Sequence, residues 1–508
     1  MEFKEAKKRS SAAFTNQDEW RDLLEDAYFY SIPERNNFTH KSEGESENEQ
    51  VYDETAPAAL PKFANRMQRS LFPDAEQWVQ FKAGSDIPKA EAKEVDSQLE
   101  LYTEKFFDAF NSTNFYTEIN PALIDCGIST GVIQVEEQPI TSDQAALWIN
   151  IPLNEIAFER PLRGLLINCW RKFKMEIGAI QAKWPKAKIP QKLKEMIEKD
   201  AQQETQLLMG HVEVKGKYHI YVYWEKDLLM EEKFNTQRII PFRLNVFPKE
   251  TFGRGPGILV LPVIRDLNVI QQLIIENAAI NVAGMYTART DNVFNPYTFT
   301  VSAGGVIPVQ SNDSSNPTIR RLENSGDLNM GQLIIEDKQE SVKKAFFVDP
   351  MGDIQDPVRS LGEQTMRMQE FLKDQGASMS RMRTELVERV VLAFVDILTS
   401  RGKLPKAVKV DGKDVKIRHN TQLVRAEKQD DYNALTTFLL GVQETLGPEV
   451  MMGTVKVEEI PEGMADMLGV SSKYVRSEAE RQELIDLAKK QLEGQDGQPT
   501  EEAIPAGQ

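Results

Sequence analysis

ILVLPVIRDLNVIQQLIIENAAINVA, residues Ile258–Ala283, is the stretch on which the fold turns. Its apolar residues recur almost all the way round a 3.6-residue period, leaving Asn268, Glu276, Asn277 and Asn281 as the polar minority. The spacing predicts one helix of about 26 residues, roughly 40 Å long at 1.5 Å per residue. A helix this apolar must be covered on most sides, and one small domain offers too little cover. Neighbouring copies of the chain, joined head to tail around an axis, would supply the rest.

Working outward, GRGPG at Gly253–Gly257 reads as a tight hinge into that helix. Upstream, Gly131–Gln138, Ala146–Glu159, Gly210–Trp224 and Arg238–Phe247 carry the short alternating or β-branched runs of strands. Lys172–Asp200 reads as a Lys-rich helical piece interrupted by Pro185 and Pro190. Nearer the start, helices are predicted over Asp18–Ile32, Ala58–Phe72, Val95–Asn111 and Phe115–Cys126, with a strand beginning at Trp78–Phe81 and an acidic loop over Asn36–Asn48. Downstream, residues 285–327 are rich in Thr, Asn, Ser, Gly and Pro and suggest a small β element. Leu328–Phe347 returns to helix, and the two Asp-Pro steps of Val348–Gly362 interrupt it. Glu363–Thr399 reads as one long helix weakened only at Gly376; Lys428–Leu446 and Ser477–Leu492 read as further helices before a disordered tail. The class is α+β, with no internal repeat and no sustained heptad.

The 508 residues are 41% hydrophobic and 27% charged, enough apolar surface for more than one core. A formal charge of −17 disfavours adhesion to nucleic acid through global charge, so any DNA contact must be local. Cys126 and Cys169 offer no disulfide framework and suit a reducing cytoplasm. The opening MEFKEAKKRS is no secretory signal, and the longest apolar runs fall short of the roughly 20 residues a membrane crossing needs.

Signs of catalysis fail one by one. GHVEVKGKY at Gly210–Tyr218 has the wrong spacing for a phosphate loop and puts Tyr218 where a Mg²⁺-binding Ser or Thr belongs. In GRGPG, Pro256 removes a donor amide, so phosphate cradling is disfavoured there as well. His40, His211, His219 and His419 are scattered without metal-ligand spacing, and a shared strand face for His211 and His219 is doubtful. Cys126 has no readable basic partner, and Glu136–Glu137 reads as solvated surface. No enzyme, cofactor or metal site is expected.

The ordered run of motifs resembles the portal, or head-to-tail connector, proteins of podovirus-type tailed phages. The run is DEWRDLLEDAYFYSIPE, VYDETAPAALPKFANRMQRSLFPDAEQWVQF, STNFYTEINPALIDCGISTGVIQVEE, FPKETFGRGPGILVLPVIRDLNVIQQLIIENAA, KKAFFVDP, EQTMRMQEFLKDQGASMSRMRTELVERVVLAFVDILTSRGKLP, AEKQDDYNAL and MADMLGVSSKYVRSEAE. Each is weak alone; their order over about residues 18–480 carries the likeness. The resemblance implies a portal-type ring subunit in a homododecamer at the capsid vertex of the virion, assembled in the host cytoplasm. Its double-stranded DNA channel would serve genome packaging and ejection. Partners would be the packaging terminase, head-tail adaptor or tail proteins, and capsid and scaffolding proteins, with no membrane.

Mapped here, the resemblance implies a mixed α/β wing over 1–252 with the long wing helix 363–400, stem helices 257–284 and 328–347, and a small β-containing clip 285–327. A tunnel loop 348–362, a helical crown 401–492 and the tail 493–508 complete it. Channel candidates are Lys338, Lys343, Lys344 and Arg359, weighed evenly against ordinary surface or intersubunit charge. Leu267, Ile270, Leu273 and Ile274 are candidates for stem packing between subunits. The alternatives are another head-tail adaptor, a tail-tube protein or a packaging-motor enzyme, the last opposed by the missing phosphate loop.

Overall fold

The computed structural model describes residues 1–35, 50–74, 76–84, 89–161, 164–283, 286–288, 319–321, 328–348, 376–404, 415–419, 422–446 and 460–468, with a few single positions between them. Helices α1 (Phe3–Asp18), α2 (Arg21–Ser31) and α3 (Thr55–Leu71) lead to β1 (Val79–Ala83), α4 (Lys89–Asn111) and α5 (Phe115–Ile128). Strands β2 (Thr130–Glu137), β3 (Ala146–Asn150), β4 (Ile156–Phe158) and β5 (Cys169–Glu176) precede α6 (Ile177–Lys183) and α7 (Gln191–Lys199). Then come β6 (Glu204–Val214), β7 (Lys217–Trp224), β8 (Asp227–Phe234) and β9 (Ile239–Arg243). Next are α8 (Pro256–Leu259), α9 (Leu261–Ala283), the short pair β10 (Tyr286–Ala288) and β11 (Ile319–Arg321), and α10 (Leu328–Ala345). Finally α11 (Gly376–Met382), a π-helical turn (Arg383–Val387), α12 (Glu388–Ser400), β12 (Val415–His419), α13 (Gln422–Leu446) and α14 (Ile460–Leu468) complete a mixed helix-and-sheet chain, in keeping with α+β.

Two compact units divide it: Met1–Gln68 with Phe110–Arg401, and Arg69–Ala109 with Gly402–Gln508. In the first, an antiparallel sheet of order β4-β5-β6-β7-β8 lies under α1, and a second sheet has order β3-β2-β9. The small residues Ala6 and Ala13 let α1 settle on Trp170, Tyr221 and Tyr223, all buried. Gly210 completes that seat: a Cβ there would stand 2.3 Å from the Trp170 ring, so only glycine lets the indole lie on the strand. In the second unit β1 pairs with β12, and Trp78, Phe81, Tyr102 and Phe106 form an aromatic cluster.

Three expectations need correction, and one helix went unread. Lys172–Asp200 is not helical from its start: Lys172 and Lys174 alternate with buried Phe173 in β5, and helix begins only at Ile177. Helix α1 escapes a search for large apolar side chains, because its buried face is Ala6, Ser10, Ala13 and Gln17. The helix expected over Ile258–Ala283 breaks at Val260, where Pro262 has no N–H to donate to the Ile258 carbonyl. In the long helix, Gly376–Ser400 is described, and its irregularity is the π-turn rather than Gly376 alone. Residues 363–375, the helix expected over Ser477–Leu492 and the tail lie outside the described residues.

Candidate functional site

The hinge before α9 is built by close backbone approach. The Gly255 amide donates to Ile128 O at 2.9 Å, and a Cβ on Gly255 would stand 2.2 Å from the Gly127 carbonyl oxygen. Ser129 Oγ donates to Gly253 O (2.8 Å), and the Gly253 amide donates to Thr130 Oγ1 (3.0 Å). GRGPG is therefore a welded joint between α5 and the helices that follow, with Pro256 at the first position of α8.

Beyond the joint, α9 sinks its first turns into its own unit through Leu261, Ile264 and Leu267. Asn268, polar in an apolar run, accepts from the Tyr52 amide at 2.7 Å and donates to Gln50 O at 3.3 Å, tying the helix to the segment before α3. Helix α10 returns alongside, where Lys338 pairs with Asp266 (3.0 Å) and Gln339 donates to Asp53 (2.8 Å). At Gly331 the helices come close: a Cβ there would meet Ile274 Cδ1 at 3.0 Å.

The outer part of α9 finds less cover. Val269, Leu273 and Ile280 are exposed and fall within roughly 40° of one another around the helix. Ile275 and Val282 are exposed too, facing roughly 150° away from that stripe. Leu273 is 58% exposed and Val282 89%. Leu333 and Ile334 on α10 add to the uncovered apolar surface.

The expected packing residues thus separate. Leu267 is 0% exposed within the chain itself, so its packing is internal, and Ile274 turns toward α10. Leu273 is open, and Ile270 is partly covered. Of the expected cations, Lys338 and Lys344 already have carboxylates, Asp266 and Glu340, while Lys343 is exposed. Arg359 lies outside the described residues, as does the expected tunnel loop after Val348. The end of α10 is firmly held: Phe346 is buried against Phe63, and Arg66 donates to Phe347 O. Phe347 takes a φ of 58°, the left-handed conformation that ends a helix and that glycine usually supplies.

Sequence reading missed a double clamp on the long helix. Arg243, ending β9, gives Glu385 three hydrogen bonds: from its amide (3.1 Å), Nε (3.2 Å) and Nη2 (2.8 Å). Its remaining donors reach Thr251 O (3.0 Å) and Gly164 O (2.6 Å). Arg238, just before β9, pairs with Asp396 at 2.8 Å and donates to Ala393 O at 3.2 Å. The spacing explains the match: five residues of strand and eleven of helix both span roughly 16–17 Å. The equal spans can be matched only once strand and helix are known to be neighbours.

Comparison with known proteins decides the family. The family model for the bacteriophage head to tail connecting protein matches residues 3–475. The chain belongs to that family. Among solved structures it is similar to a chain of the neck of an empty GTA particle computed with C6 symmetry, at 10% identity and a TM-score of 0.35, covering 84% of this chain and 92% of that one. No curated protein matches it. Head to tail connecting proteins are structural proteins rather than enzymes.

In this connecting protein the Gly210–Tyr218 run, His211, His219 and the two thiols have structural surroundings, while His40 lies outside the described residues. GHVEVKGKY is the β6–β7 hairpin, with Lys215 and Gly216 at φ 52° and 78° in the two-residue turn. His211, opposite Ile220, and His219 point to opposite sheet faces. Burial pushes the Cys126 thiol up to about 12 and raises Cys169 as well, so neither is a ready thiolate. Among the described residues no cluster of three or more His, Cys, Asp or Glu could hold a metal, and no helix is long and apolar enough to cross a membrane.

His211 of the connecting protein has an acid signature. Its Nε2 accepts from the Arg238 amide (3.2 Å), so Nδ1 carries the proton toward Ile167 O (3.2 Å). Burial pushes its pKa down to about 4 from 6.5. The unfolded chain then binds a proton that the folded chain refuses, so stability falls as pH drops from about 6.5 to about 4, by about 3 kcal/mol in all. Asp125, raised by burial, acts in the opposite sense at the acid end. Denaturant unfolding of wild type and His211→Gln across this range should therefore show a flatter profile for the variant. Parallel profiles would count against the assignment.

Proposed function

We propose that this connecting protein is the portal subunit of a short-tailed phage: a ring, in twelve copies, at the capsid vertex. Double-stranded DNA would enter and leave through its axis, with the packaging motor and later the tail docking on it in turn. The observation that carries the reading is the pair of apolar stripes on opposite flanks of α9. A single partner, or a two-fold dimer using one stripe, leaves the other in water; head-to-tail copies around a closed axis cover both.

In this reading α9 and α10 are the stem, residues 285–327 the clip, 348–362 the tunnel loop and 376–400 part of the long wing helix. The wing would span 1–252 and the crown 401–492. Lys338 and Lys344 bring Asp266 and Glu340 with them, so a wall containing them is close to neutral. That suits passage, since each phosphate neutralised by a free cation strengthens binding and slows sliding.

Negative-stain microscopy and light scattering of the purified full chain test the proposal. Rings with a central hole are expected, at a mass of many copies. A monodisperse monomer at micromolar concentration would end it. A hydrolysis assay with ATP should read background, and robust turnover by this chain alone would point to a motor instead.

A further inference from the structure

The long helix is held at two places on β9 and is irregular beside only one of them. Asp396 is held by Arg238 just before the strand and Glu385 by Arg243 at its end, and the part of the helix that packs on β9 itself is the π-turn with α11. At the Glu385 end the π-turn Arg383–Val387 intervenes, and the Glu388 amide reaches back five residues to Arg383 O. A π-turn is less favourable than α geometry, and it persists where something outside the helix holds it. Here that holder is in view. Arg243 is 0% exposed and Glu385 3%, and each nitrogen of the guanidinium head donates to Glu385, Thr251 or Gly164.

Beyond the turn, α11 has its own contact with the chain leading into the hinge: Ser378 Oγ donates to Asn245 Oδ1 at 2.7 Å. Asn245 O in turn accepts from the Arg254 amide at 2.8 Å, in the GRGPG joint at the root of α9. One buried guanidinium thus meets the long helix, the segment entering α9 and the turn at Gly164.

We propose that Glu385 is a positioning residue: seated on Arg243, it holds the π-turn and so fixes the rotational register of α11 relative to the clamped α12. Released, the turn relaxes to α spacing and α11 turns by about one residue, roughly 100°, while Arg238 keeps α12 in place. The movement would break the Ser378–Asn245 contact and change how the preceding chain leaves α11. Its use rests on the reading in the preceding subsection, which puts the DNA-facing loop upstream of this helix; the register lock itself does not depend on rings.

The test uses the full chain with Asn245→Cys and Ser378→Cys as a reporter of α11 register, and amide exchange as a reporter of α12. Oxidation should join the two cysteines nearly completely. Adding Glu385→Gln, which keeps the side-chain shape and removes the charge, should cut the cross-link at least tenfold while α12 amides stay protected. A role in general stability would move both readouts by the same factor, so a cross-link that falls no further than α12 protection overturns the proposal, as does a cross-link that survives. If Glu385→Gln does not fold, deleting the exposed Thr384 shortens the turn to α spacing with Arg243 and Glu385 both present, and the cross-link should again be lost. An intact cross-link in that variant overturns the lock. Absence of rings in the wild-type chain would remove the proposed function and leave this result standing.

Discussion

Leu273→Asp should abolish ring assembly and leave the subunit folded. The side chain is 58% exposed in the isolated chain, so an aspartate there meets water and disturbs little of the subunit. In the proposed ring the same position would face a neighbour. Losing the burial of the exposed part of this leucine removes about 1–2 kcal/mol. Covering an unpaired polar group in its place adds about 1–3 kcal/mol on the low, protein-derived scale. Together about 2–5 kcal/mol is lost at every contact, roughly 30-fold to several thousand-fold in its dissociation constant. Leu267→Asp, about one and two-thirds turns away but fully buried, should instead unfold the chain. Sedimentation velocity reports assembly and circular dichroism reports folding, so the two outcomes separate. Normal rings from Leu273→Asp would mean that this stripe of α9 touches no neighbour.

The residues most legible in the sequence were those whose burial is periodic and made of large side chains. Helix α9 was visible because leucines and isoleucines recur on several sides, and α5 and β2 because Phe115, Ile119 and Leu123 in the one and Val132, Ile133 and Val135 in the other form short apolar patterns. Helix α1 was invisible for the opposite reason: its contact face is alanine, serine and glutamine, which composition scores as neutral. The break at Val260 was signalled by Pro262 but outvoted by the apolar run around it. Of the site, the existence of uncovered apolar surface on α9 could be read, but its division between Leu267 inside and Leu273 outside could not. That division depends on the root of the helix being sunk among α2, α8 and the segment at Tyr52, contacts distant in sequence. The clamps on β9 were beyond reach for a related reason: an acid and a base 142 residues apart carry no mark of partnership until strand and helix are laid side by side.

Those clamps also set the largest expected loss of stability. Glu385→Ala leaves the Arg243 guanidinium buried with its charge unanswered, and removing one member of a buried pair costs about 3–5 kcal/mol. An exposed pair gives the scale: Arg21 and Glu25, four residues apart on α2, should contribute about 0.3–0.5 kcal/mol, so Glu25→Ala should hardly shift a denaturant midpoint. The contrast follows from solvent. Water replaces a lost partner at Arg21, whereas nothing replaces it at Arg243. Replacing both partners by apolar residues, Arg243→Met with Glu385→Leu, should recover part of the loss, because no isolated charge remains inside. Recovery should stop short, since buried Thr251 O loses the donor that Arg243 supplied, at about 1–3 kcal/mol for a carbonyl left unsatisfied, whereas exposed Gly164 can turn its carbonyl to water. Denaturant titrations of the two single variants and the double variant measure all three. If Glu385→Ala proves as mild as Glu25→Ala, water must reach Arg243, and the pair cannot anchor the helix as described.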